Sequence, residues 1–296
     1  MTRRQMLVGA AVTPALLDAV KGGASQPIIC IFSKHLAALD WEELGKTAKA
    51  MGFAGVDLTV RKGGHVVPER AADELPRAYE TIVKHGLSVP MITTELTAQS
   101  DPTARPILLA AAKLGIPRYK LGYYKYSGTD VEASLKSVRE WVGGLVTLGK
   151  EVGMQAMYHN HSGANVGEAV WDIRDITKDM DPQSIGYYFD ACHATAEGGL
   201  YGWKNSLNIA VTRLKAIAVK DFFWEKSGKE WKMQMCPLGE GMVAWPAVFK
   251  RLAETGFAGP ISLHIEYKPQ DEQAAIVRDL AVLKTLVKQA YGQEGL

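Results

Sequence analysis

Residues 49–60 read KAMGFAGVDLTV: a helical pattern stops at Gly52 and an apolar run follows. The junction recurs at VKHGLSVPMITT (83–94), AKLGIPRYKLGY (112–123), KEVGMQAMYHN (150–160) and AETGFAGPISLHIEY (253–267). In each, a glycine stands where a helix C-cap needs left-handed backbone, which glycine adopts without steric cost. Helix then strand, repeated, predicts βα units and a parallel sheet.

Working outward from these junctions, eight strands are predicted: Ile28–Ser33, Gly55–Val60, Ser88–Thr93, Tyr119–Tyr123, Gln155–Asn160, Ile185–Asp190, Leu214–Val219 and Ile261–Glu266. They recur at roughly 30-residue intervals, the spacing of a βα repeat, with one longer gap before the last. LDWEEL supplies a capping box with Asp40 as N-cap and Glu43 three residues on. Leu135, Val138, Val142 and Leu145 share one helical face, as do Ile276, Leu280, Leu283 and Val287. No linker divides the chain, and no GxGxxG follows the first strand, so a single α/β domain, a (β/α)₈ TIM barrel over residues 25–296, is favoured over a doubly wound dinucleotide-binding sheet.

The chain is 47% hydrophobic and 22% charged, which supplies a full core and excludes disorder. At the N-terminus, TRRQMLVGAAVTPALLDAV joins Arg3 and Arg4 to an apolar stretch too short to span a bilayer, and GGAS follows. This resembles a twin-arginine signal peptide over residues 1–24, cleaved near Ala24, which implies export to the periplasm without stable membrane insertion afterwards. Without Arg3, Arg4, Lys21 and Asp18 the remainder holds 31 basic and 31 acidic residues and no net charge. With no Lys/Arg stripe left, a nucleic-acid partner loses its electrostatic basis. Cys30, Cys192 and Cys236 show no CxxC spacing and form neither a disulfide framework nor a zinc knuckle.

Ligands of such barrels bind at the C-terminal ends of the strands, and polar residues collect there. Arg61 follows VDLTV, Glu95 ends MITTE, and Lys120 lies in RYKLGYYKY. MYHNH brings His159 and His161, YYFDACH brings Asp190 and His193, AVKD brings Lys220, and SLHIEY brings His264 and Glu266. Strand alternation puts His159 with His161, and His264 with Glu266, on shared faces. His159, Asp190 and Glu266 come from three strands at matching depth, and an imidazole with two carboxylates is an ordinary shell for a divalent ion such as Mn, Mg, Zn or Fe.

YHNHSG, IGYYFDACHA, AVKDF, PLGEGMVAWPAVFKRL and GPISLHIEY make the sequence similar to the xylose isomerase-like barrel superfamily of sugar phosphate isomerases and epimerases. The resemblance implies one divalent metal held by residues at the ends of strands five to eight, carried here by His159, Asp190 and Glu266, with His193 touching substrate. Two positions depart from the pattern. His159 replaces a carboxylate, as in the YHNH branch, and Ala218 stands where strand seven usually gives a histidine, which leaves a three-residue shell unless His161, His193 or Glu168 completes it.

The chemistry implied is removal of a proton next to a carbonyl, with a metal-stabilised enediolate, as in a sugar isomerase or epimerase. Glu266, His161, His193 and Lys120 are the expected catalytic groups. Arg61, Glu95, Lys220, His264 and Trp224 are expected to hold a carbohydrate substrate. Expulsion of a β-leaving group would instead give a lyase or dehydratase on a keto-sugar or keto-glycoside, and loss of all chemistry would leave a periplasmic sugar-binding barrel. A homo-oligomer is compatible with the sequence and not required by it. His35 and His85 read as solvated, and EWKMQM as a surface hairpin or lid.

Overall fold

The computed structural model describes residues 27–292. The twin-arginine leader lies outside the described residues.

Eight parallel strands close into a barrel: β1 Ile29–Phe32, β2 Gly55–Val60, β3 Ser88–Thr94, β4 Arg118–Lys120, β5 Gln155–His159, β6 Ile185–Asp190, β7 Leu214–Val219 and β8 Ile261–Leu263. Each pairs with its sequence neighbours, and β1 closes the ring on β8 through Ile29↔Ile261, Cys30↔Ser262 and Ile31↔Leu263. The main helices are α1 Trp41–Met51, α2 Ala71–Lys84, α3 Ala104–Lys113, α4 Val131–Val152, α5 Val170–Thr177, α6 Ala191–Ala210, α7 Trp245–Glu254 and α8 Glu272–Tyr291. The predicted single (β/α)₈ barrel is therefore the observed fold.

The junction glycines do what the sequence requires: Gly52, Gly86, Gly115, Gly153 and Gly256 all have positive φ. Asp40 accepts a hydrogen bond from the backbone N–H of Glu43, the predicted N-cap of α1. Four strands are shorter than predicted, β1 by a single residue at each end, β5 by a single residue at its C-terminal end, and β4 and β8 by a longer stretch at the C-terminal end. β4 stops at Lys120, after which Gly122 turns its N–H to the carbonyl of Leu96, where a Cβ would clash with the Glu95 backbone. β8 stops at Leu263, and His264, Ile265 and Glu266 continue as a rim loop.

Among the described residues there are two apolar cores. The larger lies between sheet and helices, and a small one of Met91, Met157, Tyr188, Ala216 and Ala218 is set apart from it within the barrel. The predicted hairpin after β7 is present: Asp221–Ser227 pairs antiparallel with Glu230–Cys236. Its base is fixed by Asp221, whose buried carboxylate accepts from the backbone N–H groups of Phe222, Gly239 and Val243. Cys30, Cys192 and Cys236 are buried free thiols. His35 corrects the solvated reading: it is buried, and its Nε2 accepts from the N–H of Ile265, because the chain leaves β1 in a 3₁₀ turn that carries the ring under the last rim loop. His85 meets Glu42 at 3.0 Å near the C-terminus of α2.

Candidate active site

The strand ends are first held in place by YHNH itself. The Asn160 side chain accepts from the Asp190 N–H at 2.8 Å and donates to the Asp190 carbonyl at 2.9 Å, locking β5 to β6. His159 and Asp190 consequently meet, with His159 Nε2 3.2 Å from Asp190 Oδ2.

Below them lies a polar floor. Buried Asp57 on β2 accepts hydrogen bonds from Thr93, Ser262 and Tyr188 at 2.7, 2.9 and 3.0 Å. Burial raises its pKa against the pull of these three donors. With the Tyr188 hydroxyl proton committed to Asp57, the 3.0 Å contact to His264 makes His264 Nε2 the donor. His264 also stacks on Phe32.

Asp190 is the hub above this floor. Oδ1 caps α6 by accepting the His193 N–H, while Oδ2 faces His159 and the Lys220 ammonium, each at 3.2 Å. Burial opposes ionisation of Asp190, but the facing Lys220 ammonium and the hydrogen bond from His159 outweigh it and hold its pKa well below the ordinary value. Burial likewise opposes the charge on Lys220, and Asp190 reverses the effect, so its pKa is raised.

Hydrogen bonding separates the histidines by what each nitrogen is free to do. The Tyr123 hydroxyl donates to His159 Nδ1 at 2.8 Å, leaving Nε2–H to donate to Asp190. His193 accepts the Lys220 ammonium on Nε2 at 2.8 Å and donates from Nδ1 to Ser162 Oγ at 2.7 Å. His161 donates from Nδ1 to the Ser162 carbonyl at 2.9 Å, so Nε2 carries an uncommitted lone pair. Burial keeps these rings neutral, bringing the His159 pKa down to about 3 and lowering those of His161 and His193.

A cavity of about 300 Å³ opens over this cluster, lined among others by Arg61, Lys120, Tyr123, His161, Lys220 and Glu266. The Lys120 ammonium lies 3.6 Å from the centre of the Tyr123 ring. Glu266 is paired at the rim with Lys34 at 2.9 and 3.2 Å. Burial opposes its ionisation, yet Lys220 and Lys34 keep its pKa lowered.

The fold and these residues can be set beside known proteins. The xylose isomerase-like TIM barrel family matches residues 46–286. The chain belongs to this family. Inosose dehydratase of Lacticaseibacillus casei is 28% identical over 143 residues, 43% of this chain and 46% of that relative, so the match spans about half of the relative's length. Among solved structures, 3-keto-D-glucoside 4-epimerase from E. coli superposes with a TM-score of 0.70 at 15% identity, covering 88% of this chain and all of the other. A xylose isomerase-like TIM barrel protein from Mycobacterium smegmatis in complex with magnesium gives 0.65 at 15%, covering 84% of this chain and 89% of the other.

This xylose isomerase-like barrel does not gather the expected metal shell. Ala218 pairs in register with Asp190 and offers only a methyl group on β7. Two residues on, the Lys220 ammonium takes the face of Asp190 Oδ2 that an ion would need, and Lys34 engages both oxygens of Glu266. Lys34, Arg61 and Lys120 add further positive charge around the cavity. Among the described residues, no group of three or more His, Cys, Asp or Glu side chains is arranged to hold a metal ion. The donor set therefore does not fit a divalent cation.

Of the other predicted site residues, Lys120, His159, His161, His193, Lys220, His264, Arg61 and Glu266 line the cavity. Three do not. Glu95 is exposed, because MITTEL turns outward after Thr94. Trp224 stands on the hairpin, packed edge-on against Phe222, while Met235 from the opposite hairpin strand lines the cavity instead. Glu168 sits beside Glu197 and Asp172 outside the lining. Sequence reasoning missed Lys34, Tyr188 and the hydroxyl role of Tyr123. Their partners lie on other strands, so no local spacing marks them.

Proposed function

We infer that the chain is an enzyme acting on a sugar or sugar derivative, and that it moves a proton on the carbon next to a carbonyl, as a sugar isomerase or epimerase does. The observation that carries this reading is His161, its Nε2 uncommitted among the described residues, in the lining of a cavity that also presents Lys220, Arg61 and Lys120. His161 removes the proton. Negative charge growing on the former carbonyl is met by Lys220, kept charged by Asp190, and by Arg61. Tyr123, backed by His159 and Asp190, orients a hydroxyl and exchanges its own proton with it. Glu266 and His264 hold hydroxyls at the opposite wall. A divalent ion is not part of this reading, because Lys220 and Lys34 already occupy the carboxylates that would bind it.

A second reading, elimination of a β-leaving group, has the partial similarity to inosose dehydratase in its favour. Both readings share the first step. Ketoses, inososes and 3-keto-glycosides incubated with the enzyme in deuterated water would be followed by NMR. Deuterium entering beside the carbonyl is expected, with a new double bond marking elimination. No exchange with any of these compounds, alongside tight binding of one, would replace the enzyme with a sugar-binding barrel.

Export by the twin-arginine route is part of the proposal and rests on Arg3 and Arg4 ahead of an apolar stretch. Changing both arginines to lysine would retain the protein in the cytoplasm; unchanged fractionation would refute it.

A further inference from the structure

We propose that Lys120 forms an imine with the substrate carbonyl, so that the electrons freed by proton removal are drawn into a carbon–nitrogen bond. This rests on the carbonyl-adjacent proton chemistry proposed above and moves its electron sink from the carbonyl oxygen to the Lys120 nitrogen, Lys220 and Arg61 then binding the oxygen only before it leaves as water.

Three lysines line the cavity; Lys34 is paired with Glu266 at the rim, and the two buried ones are held in opposite ways. Lys220 is committed, with Asp190 at 3.2 Å and His193 at 2.8 Å. Lys120 stands at the C-terminal end of β4 and is 2% exposed. Among the described residues it forms no ion pair with a carboxylate, and its contact is the face of the Tyr123 ring. Burial, with Arg61 and Lys220 nearby, outweighs Asp57 and Glu95 and brings its pKa down to about 7. A desolvated lysine beside other cations is the environment that makes an amine nucleophilic at neutral pH. The donor set that does not fit a metal ion also leaves a need for another electron sink, and an iminium supplies one.

The atoms balance within the site and solvent. Neutral Lys120 Nζ attacks the carbonyl carbon and forms the N–C bond. The oxygen collects one proton from the former amine and one from solvent and leaves as water, while the second amine hydrogen stays on the iminium nitrogen. His161 Nε2 then takes the proton from the adjacent carbon, giving an enamine. Return of a proton to that carbon restores the iminium, and water releases the product and the free amine. The Tyr123 hydroxyl, beside Lys120 and bonded to His159, relays the protons of the dehydration step.

The test treats the full-length protein with dihydroxyacetone and sodium borohydride, which reduces an iminium to a stable secondary amine, and maps the adduct by peptide mass spectrometry. Deuterium exchange into dihydroxyacetone is measured on the same protein without borohydride. One adduct per chain on Lys120 is expected, together with exchange. The adduct should be absent from Lys120→Arg, which keeps the cation, and from Lys120→Met, which keeps the apolar stem. Exchange without an adduct, or with label on Lys220 or scattered over surface lysines, would overturn the imine and leave the proton-transfer reading intact. Neither exchange nor adduct would overturn both.

Discussion

At the residue scale, the three histidines around Asp190 differ only in which nitrogen is spoken for, and that difference sets their expected phenotypes. His161→Ala should slow deuterium exchange by about 10²- to 10⁴-fold with the barrel intact, since its ring packs on His193 and hydrogen-bonds within the Ser162–Asn165 turn rather than bridging barrel strands; a circular dichroism melt beside the exchange assay checks both. His193→Ala strips the acceptor from Lys220 and should weaken binding as well as rate, so KM and kcat move together. The pH profile follows from Lys120. Its reactive form is the neutral amine, so the exchange rate should climb through pH about 7 and level off above, and Lys120→Arg should abolish that limb. A profile flat through this range in the parent would remove Lys120 from the chemistry. The chemical types gathered here were legible as polar residues at strand ends. Their pairings were not: Lys34 and Glu266 are 232 residues apart, and nothing in SLHIEY indicates that Glu266 meets an ammonium rather than an ion.

At the element scale, helix ends and strand starts were readable because each is fixed by short-range chemistry. Gly52 and Gly153 supply a left-handed C-cap, Asp40 supplies an N-cap, and period-two alternation follows. Strand ends were less readable, since they depend on a neighbour. β4 breaks off where Gly122 must pass close to Glu95, a constraint RYKLGY does not contain. The same kind of crowding makes Gly186 on β6 sensitive. A Cβ there would collide with the Arg213 backbone carbonyl, immediately before β7. Gly186→Ala should destabilise the barrel by about 3 kcal/mol or more, because the obstruction is backbone and cannot rotate away. Urea unfolding measures it, and a midpoint equal to the parent's would show that β6 and β7 can separate at no cost. Asp40→Ala at an exposed cap should lose only about 1 kcal/mol in the same assay.

At the scale of the whole molecule, the barrel buries several imidazoles in neutral form, and this makes it sensitive to acid. His35, held at about 4 by burial, and His159, at about 3, both lie below their ordinary 6.5. A depressed histidine means the unfolded chain binds a proton that the native state refuses, so stability is full above pH 6.5 and falls as pH drops toward those values. Each such histidine contributes up to about 1.4 kcal/mol per pH unit across that window. Denaturant midpoints should therefore decline between pH 6.5 and 4, before most carboxylates titrate; a flat response there would mean the rings accept protons in place.

The seam between β1 and β8 has a kinetic side. Every other neighbouring pair of barrel strands is joined by one connection of a few tens of residues, whereas Ile29 and Ile261 meet only after nearly the whole chain has been laid down. The ring is therefore expected to zip up from its local pairs and shut last, with closure of the longest loop as its slowest entropic step. Interactions on the seam, including the Lys34 to Glu266 bridge, would then form after the folding barrier. Weakening them should hasten unfolding and leave the refolding rate nearly unchanged.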